Sequence, residues 1–375
     1  MLCCVGVCFK IMPEESHSSI SHLYDVTTTT NAEEVQTTGK LVKTSSTSHG
    51  VDFYFQSAVV VIGVTGVAAN ALVLYAMVAS KQHKKQLLIF NQNVFDFCSS
   101  LLLIITFTLK LCDIHLTGVL GYWLCMMLLS ENIFWWSINA SVINLMSITI
   151  ERYLKVVHST WSKKWLRKSV KCSAVAFAWI AGVVYNMIVV SLTSDVVDGV
   201  CYGYVFWKSQ VVAIVHGIWN FVSFTVVVVF VFIFCYARIL AVVRRQAMVM
   251  AGHSGPASSA AQSNSHHIQT NVVKMMITVS AFYVITWAPC NVYFLLLNFN
   301  TDLTLIDIYY YVSLFFAFFY ICANPFIYAT KFDPVKRVLV DLIPCKKSQQ
   351  AGGGVEMSST TRTVASRFIH VQERY

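Results

Sequence analysis

A carboxylate lies in the middle of a long apolar stretch of the sequence. Asp96 belongs to NVFDFCSS, and no basic residue stands within a helical turn of it. A charged side chain in apolar surroundings is costly and usually has a function, for example as a cation ligand or a proton-coupling group. The alternative is a carboxyl group that hydrogen bonds keep neutral. Asn70, in the apolar run GVAANALVLY, is predicted to contribute to the same polar core.

An adjacent acid and base follow another apolar run. Glu151-Arg152-Tyr153 comes directly after SVINLMSITI. A carboxylate beside a guanidinium can form a charge-assisted hydrogen bond, which a conformational change could break. The same pair could also simply anchor a helix at a membrane interface.

Two prolines interrupt later apolar runs. Pro289 lies in FYVITWAPC and Pro325 in CANPFIYATKF. Proline inside a helix removes a backbone hydrogen bond and kinks the helix. Two kinked helices beside an intramembrane carboxylate indicate a helical bundle that changes its conformation.

The composition indicates where these residues must lie. Hydrophobic residues make up 56% of the 375 residues, and charged residues only 12%. Soluble chains carry about 25% charged residues, because their surface must be wetted. The lipid bilayer is therefore the expected surroundings, with no nucleic acid as partner. The sequence has no Gly-rich phosphate loop, no clustered metal ligands and no nucleophile with a base, so we do not expect an enzyme.

Seven apolar segments are long enough to cross a bilayer. A membrane helix needs about 20 apolar residues, and backbone groups in lipid must find their hydrogen bonds within the segment. The sequence therefore predicts an all-α integral membrane protein, a bundle of seven transmembrane helices. The predicted spans are 54–79, 87–111, 123–156, 170–192, 211–239, 272–298 and 306–328.

Loop charge predicts the orientation of this bundle. Basic residues without acids follow spans one, three and five, in SKQHKKQ, HSTWSKKWLRKS and VVRRQ. The loops at the other end contain the acids Asp113, Asp195, Asp198, Asp302 and Asp307. Because basic loops stay in the cytoplasm, we expect a multi-pass plasma-membrane protein with an extracellular N-terminus and a cytoplasmic C-terminus.

Composition also predicts the segments around the bundle of residues 54–330. Residues 1–53 are rich in Ser and Thr and are expected to form a disordered extracellular tail. Residues 331–345 have apolar residues at helical spacing, which predicts a short amphipathic eighth helix on the membrane surface. Cys345 at its end is either a palmitoylation site or a free interfacial thiol. Residues 346–375 are expected to form a cytoplasmic tail whose phosphorylated hydroxyls an arrestin would recognise.

Motifs spread over the spans resemble those of a known family. The motifs are Asn70, Asp96, Glu151-Arg152-Tyr153, Trp179, Trp287-Ala288-Pro289 and Asn324-Pro325-Phe326-Ile327-Tyr328. In this order they resemble the motifs of rhodopsin-like (class A) G-protein-coupled receptors, over about residues 54–345. The resemblance implies a receptor that transmits an extracellular ligand signal to a heterotrimeric G protein.

The resemblance also implies an activation switch. Glu151 would hold Arg152 at rest, and span six would swing outward about Pro289 to open a cleft for the G protein. The residues assigned to this switch are Glu151, Arg152, Tyr153, Tyr236, Trp287, Pro289, Asn324, Pro325 and Tyr328. Among them, the two tyrosines of spans five and seven would turn inward to support the freed arginine.

A sodium site is implied by three matching positions. Asp96, Ser141 and Asn324 stand where the family holds a hydrated sodium ion in its resting state. Bound sodium would favour that state through its differential affinity for the two states. No other cofactor is expected.

The resemblance further implies a disulfide between Cys125 and Cys201. Cys125 stands 27 residues before Arg152, two more than the common spacing in the family. Cys112 therefore remains a rival partner for Cys201.

Two positions narrow the class of ligand that we expect. Phe134 stands where amine receptors carry an aspartate, and Phe318 stands where opsins carry the retinal-linking lysine. Neither an amine held by that salt bridge nor retinal is therefore expected, and peptides, lipids and other small molecules remain open. Glu131, Phe134, Trp135 and Trp287 are candidates for the pocket. Glu131 would meet a cationic group of the ligand, or it would simply face water.

The alternative function is a seven-helix transporter or channel with Asp96 as its coupling carboxylate. Such a protein would need further ionisable groups along a path through the membrane. Spans two, five, six and seven supply almost none, so the receptor is the favoured interpretation.

Overall fold

The computed structural model describes residues 46–112, 114–204, 207–252, 259–299, 303 and 307–342. Its helices are α1 (Ser46–Ala79), α2 (Gln82–Lys85), α3 (Leu87–Leu111), α4 (Gly118–Leu124), α5 (Asn132–Val157), α6 (Ser159–Trp165), α7 (Lys168–Thr193), α8 (Gln210–Phe221), α9 (Val227–Gly252), α10 (Ser259–Phe299), α11 (Ile308–Lys331) and α12 (Asp333–Asp341). Two π-helical turns, Cys125–Leu129 and Val222–Val226, and a hairpin of β1 (Asp195–Val197) and β2 (Val200–Tyr202) complete the elements. The predictions for Cys345 and for the tail 346–375 lie outside the described residues.

Among the residues that the structure describes, seven segments are long and apolar enough to cross a membrane, as predicted. Spans one to seven are Val51–Ala79, Leu87–Leu111, Gly118–Val157, Lys168–Thr193, Gln210–Gln246, Thr270–Phe299 and Ile308–Lys331. The all-α fold is confirmed, and the short helix α12 follows span seven with its Val335 buried. Pro289 and Pro325 lie inside α10 and α11.

Several helices continue beyond their apolar residues. α1 begins at Ser46, within the segment 1–53 that was expected to be disordered, and α9 extends to Gly252. A helix satisfies its backbone hydrogen bonds within itself, so it can continue into polar sequence until a breaker stops it. No proline stands between Ser46 and the first apolar residues.

Span three forms the centre of the bundle. It packs against spans two, four and five, whereas span one packs against spans two and seven. Gly182 allows span four to approach closely, because a Cβ atom there would come within 2.8 Å of Trp136. Residues placed on span three are therefore in reach of most other spans.

Span three is interrupted near one end, which the sequence did not predict. α4 leads into the π-helical turn Cys125–Leu129, and α5 starts only at Asn132. Between them Glu131 adopts a left-handed backbone conformation, with φ of 60°, which costs a non-glycine residue about 1 kcal/mol. A π-turn inserts extra residues into a helix. The interruption thereby accommodates the 27-residue spacing between Cys125 and Arg152.

The hairpin is tied to this interruption by a disulfide. Cys125 is bonded to Cys201 of β2, as the resemblance implies, rather than Cys112 to Cys201. In the antiparallel pair Val196 lies opposite Cys201. We call the end of the bundle with this bond the disulfide end, and the end with Arg152 the arginine end.

Replacing either Cys125 or Cys201 with serine is expected to lower the amount of folded protein at the cell surface to the same extent. Each change removes the same covalent link, and a native disulfide contributes about 2–4 kcal/mol. Surface labelling measures the effect, with Cys172→Ser as the control, because Cys172 is exposed and unbonded. A defect of the double variant much larger than that of either single variant would contradict the pairing.

Candidate functional site

Asp96 lies in a buried polar cluster between spans two, three and seven. Its carboxylate accepts hydrogen bonds from Asn324 Nδ2 at 2.9 Å and from Gln92 Nε2 at 3.4 Å. The same Gln92 nitrogen donates to Ser141 Oγ at 2.5 Å. All four side chains are buried. The three residues predicted for a sodium site are thus brought together, with Gln92 among them.

Sequence reasoning missed Gln92. It stands four residues before Asp96, hence on the same face of span two, and a polar residue at this spacing in an apolar helix was the available signal. Its amide nitrogen donates to both of the oxygens that a cation shared by Asp96 and Ser141 would use. Asn324 Oδ1 is buried without a hydrogen-bond partner among the described residues.

A chain of side-chain amides extends this cluster to span four. Asn144 Nδ2 donates to Gln92 Oε1 at 2.9 Å, and Asn91 Nδ2 donates to Asn144 Oδ1 at 3.1 Å. Trp179 Nε1 then donates to Asn91 Oδ1 at 3.3 Å. Asn70 ties span one to the bundle separately, because its amide donates to a backbone carbonyl of span seven at 3.3 Å. Spans two, three, four and seven thus share one polar network, which makes their relative positions specific.

Arg152 is buried at the arginine end. Its Nη2 lies 3.4 Å from Glu151 Oε2, and it also donates a hydrogen bond to Gln86 Oε1, just before span two. Arg152 Nε is buried without a hydrogen-bond partner in the described part of the chain. Gln86 therefore holds the guanidinium together with the predicted carboxylate, and sequence reasoning did not identify it.

Glu151 is shared among three cations. Its Oε1 lies 2.9 Å from Lys155 Nζ and 2.9 Å from Lys171 Nζ of span four, closer than its other oxygen lies to Arg152. The predicted Glu151–Arg152 pair is present, but the two lysines compete for the carboxylate. Its hold on Arg152 is correspondingly weaker than an exclusive pair would give.

The tyrosines assigned to the switch lie in three different environments. Tyr236 Oη lies 3.0 Å from Thr149 Oγ1 and 2.9 Å from Ser280 Oγ, so it bridges spans three, five and six. Tyr328 is fully buried, and its hydroxyl has no hydrogen-bond partner among the described residues. Tyr153 contacts a histidine of the following loop rather than Arg152.

A cavity opens between spans three to seven in the disulfide half of the bundle. Aromatic, aliphatic and polar side chains form its wall. The lining residues are Trp135, Ile138, Asn139, Val142, Tyr185, Asn186, Val189, Tyr204, His216, Asn220, Phe224, Tyr283, Trp287, Cys290, Asn291, Phe294 and Tyr310. Within the described residues, this wall contains no Asp, Glu, Lys or Arg.

Two of the four predicted pocket residues do not line this cavity. Glu131 lies at the interruption of span three, where it forms a 2.5 Å ion pair with Lys110 and accepts a hydrogen bond from Trp135 Nε1 at 3.1 Å. Phe134 is buried and packs edge-to-face on Phe318, with ring centroids 5.0 Å apart. The prediction for Glu131 is corrected because its charge is already paired within the protein.

Ring contacts connect the cavity to the middle of the bundle. Trp135 contacts Trp287 edge-to-face at 6.1 Å, and Trp287 stacks on Tyr283 at 6.1 Å. The Tyr283 hydroxyl donates to the carbonyl oxygen of Phe224 at 3.0 Å. Phe224 belongs to the π-helical turn of span five, a distortion that frees backbone carbonyls from the helical ladder. Trp287 Nε1 itself has no hydrogen-bond partner in the described part of the chain.

The sequence matches one family over most of the bundle. The family described as 7 transmembrane receptor (rhodopsin family) matches residues 69–328. The chain is 22% identical to C-C chemokine receptor type 8 of Mus musculus, over 75% of this chain and 77% of the relative. It is 25% identical to somatostatin receptor type 5 of Rattus norvegicus, over 70% of each chain. It is also 25% identical to lysophosphatidic acid receptor 1 of Homo sapiens, over 62% of this chain and 61% of the relative.

These similarities agree with the geometry of the seven spans. The matched family and the similar proteins are receptors rather than enzymes, and the transporter alternative is not favoured. The disulfide and the Glu151–Arg152 pair lie at opposite ends of these spans. The chain belongs to the rhodopsin family of seven-transmembrane receptors, and it is a G-protein-coupled receptor.

Proposed function

We propose that this receptor lies in the plasma membrane with its disulfide end outside the cell and its arginine end in the cytoplasm. Two observations support this orientation. Disulfides form on the oxidising, extracellular side, and the loops at the arginine end are basic, which retains them in the cytoplasm. An epitope tag at the N-terminus should then be labelled on intact cells, whereas a C-terminal tag should require permeabilisation.

The observation that carries the function is a path of ring contacts that leads from the cavity through Tyr283 and Phe232 to Tyr236, with ring centroids 6.3 and 6.1 Å apart. The ligand enters the cavity, moves Trp287 and Tyr283, and thereby alters the packing of spans five and six around Tyr236. Span six then swings outward about Pro289 and frees Arg152 for the G protein. Membranes containing the receptor should accelerate nucleotide exchange on a purified heterotrimeric G protein, compared with membranes without it. Absence of any effect with every class of G protein would contradict this function.

The residues of the cavity wall favour the binding of an uncharged ligand group. The ligands named for the relatives are chemokines, somatostatin and lysophosphatidic acid. They differ widely in chemistry, so they do not identify the ligand class of this receptor. A phosphate or ammonium group would lose its hydration without meeting a counter-charge in the described wall. Trp287 offers an unpaired N–H, and four asparagine amides offer neutral hydrogen bonds. The group that enters the cavity is therefore an aromatic or aliphatic body with amide, carbonyl or hydroxyl groups.

Matched ligands test this assignment. Once a screen gives an agonist, its neutral form should be more potent than an analogue with an amine or carboxylate at the same place.

Phenylalanine at position 287 removes the unpaired N–H, so Trp287→Phe should lower the potency of a carbonyl-bearing agonist about tenfold. Ile285→Val is the control, because Ile285 is exposed on the outer surface of span six. Agonists that are uniformly charged would overturn the assignment.

A sodium site and an arrestin partner are also proposed. Asp96, Ser141 and Asn324 supply the oxygen ligands that sodium prefers, and the unpartnered Asn324 Oδ1 is one of them. Sodium would supply positive charge beside the Asp96 carboxylate, while Gln92 already donates to it. Arrestin would recognise the phosphorylated tail beyond α12, as the family membership suggests.

Gln92 is expected to weaken the response to sodium. The change Gln92→Leu removes the amide that competes for Asp96 and Ser141, so agonist affinity should become about threefold more sensitive to sodium. Radioligand competition in sodium and in N-methylglucamine buffers measures the effect. The control Asn93→Leu changes a neighbouring amide that contacts Ile89 and Met77 instead. Equal sodium sensitivity in the wild type and in Gln92→Leu would contradict this role.

A further inference from the structure

The second cytoplasmic loop presents two exposed tryptophans. Trp161 and Trp165 stand one turn apart on α6, with 49% and 53% of their surface exposed. Their ring centroids lie 5.6 Å apart. In membrane proteins tryptophan concentrates at the boundary between lipid and water, where its ring is buried and its N–H is wet. The pair is therefore placed on a surface suited to the membrane interface.

Four cations surround this pair. They are Lys163, Lys164, Arg167 and Lys168, all exposed. None of them forms an ion pair among the described residues, and no Asp or Glu stands between Glu151 and Asp195 in the sequence. Lys171 is excluded from this group because it pairs with Glu151. The loop therefore carries an uncompensated positive charge next to two interfacial rings.

This surface continues into the lipid-facing side of span four. Val170, Phe177 and Ile180 expose 48%, 64% and 62% of their surface along the same helix. Exposed apolar residues on a membrane span face the acyl chains. The cationic loop thus stands where the headgroups adjoining those chains would lie.

We propose that α6 and the start of span four bind anionic phospholipid headgroups of the inner leaflet. The tryptophan pair anchors the loop at the membrane–water interface, and the four cations attract the phosphates and carboxylates of the lipid headgroups. This proposal rests on the cytoplasmic orientation proposed above. We call these residues the lipid surface: Trp161, Lys163, Lys164, Trp165, Arg167 and Lys168.

Native mass spectrometry of the purified full-length receptor tests the cations. The probes are phosphatidylserine and phosphatidylcholine, added in equal amounts to detergent micelles. The wild type should retain phosphatidylserine preferentially, and replacing the four cations of the lipid surface with glutamine should lower this preference at least about tenfold. The matched control Arg244→Gln with Arg245→Gln removes two other exposed cations at the same end and should leave the preference almost unchanged.

Fluorescence tests the tryptophans independently of the cations. In nanodiscs of phosphatidylcholine and phosphatidylserine, lipids brominated near the headgroup should quench the wild type more than a Trp161→Phe, Trp165→Phe variant. Equal quenching, or retention of phosphatidylserine by the glutamine variant, would overturn the proposal. If the glutamine variant keeps its lipid preference but loses G-protein activation in pure phosphatidylcholine discs, the surface binds a protein instead. Tag labelling on intact cells tests the orientation independently, so a failure of lipid binding can be distinguished from a wrong orientation.

Discussion

Replacing Gln86 with leucine should raise ligand-independent signalling about tenfold. Gln86 Oε1 accepts a hydrogen bond from the buried Arg152 guanidinium, which Glu151 holds only weakly. A hydrogen bond to a charged group contributes about 1.5 kcal/mol, and losing it destabilises the resting state alone. Because about 1.4 kcal/mol corresponds to a tenfold change in an equilibrium constant, the population of the active state should rise by this factor while it remains minor. Nucleotide exchange at matched surface expression is the measurement.

Two further variants test whether Gln86 restrains Arg152 in the resting state. Gln86→Glu places a carboxylate next to Arg152, so it should lower basal signalling below that of the wild type. Gln82→Leu changes a glutamine of the same loop whose side chain has no hydrogen bond to Arg152, and it should behave like the wild type. If Gln86→Leu and Gln82→Leu give equal basal signalling, Gln86 has no restraining role.

The spans could be predicted from the sequence because lipid leaves the backbone few choices. A long apolar segment must satisfy its hydrogen bonds internally, so the number and order of the seven spans follow from the pattern of apolar segments. The interruption at Glu131 could not be predicted, because it depends on an ion pair with Lys110 from another span and on the disulfide of Cys125. Local sequence contains no signal for either contact.

The candidate site could likewise be predicted only in part from the sequence. Asp96, Ser141 and Asn324 were grouped by motif, and they do lie together. Gln92 was missed although its four-residue spacing from Asp96 was a signal, and Gln86 was missed because it lies before span two, where the sequence does not reveal its contact with Arg152. Side chains that modify a motif depend on tertiary contacts, which spacing along one helix does not reveal.

Replacing Lys171 with glutamine should lower basal signalling about fivefold. Lys171 Nζ lies 2.9 Å from Glu151 Oε1 and competes with Arg152 for the same carboxylate. Without this lysine the carboxylate can approach the guanidinium, which strengthens the restraint on Arg152 in the resting state. A partly buried ion pair of this kind is worth about 1 kcal/mol, and this energy corresponds to a roughly fivefold change in the population of the active state. Lys274→Gln is the control, since Lys274 is exposed and forms no ion pair among the described residues.

Combining the two changes shows whether they act on one restraint. Gln86→Leu weakens the hold on Arg152, whereas Lys171→Gln strengthens it through Glu151. If both act on the guanidinium independently, their free energies add, and the double variant should signal only about twofold above the wild type. A double variant that signals as strongly as Gln86→Leu alone would mean that Glu151 does not restrain Arg152 once Gln86 is lost. Basal signalling of Lys171→Gln above that of the wild type would instead show that Lys171 stabilises the resting state by joining spans three and four.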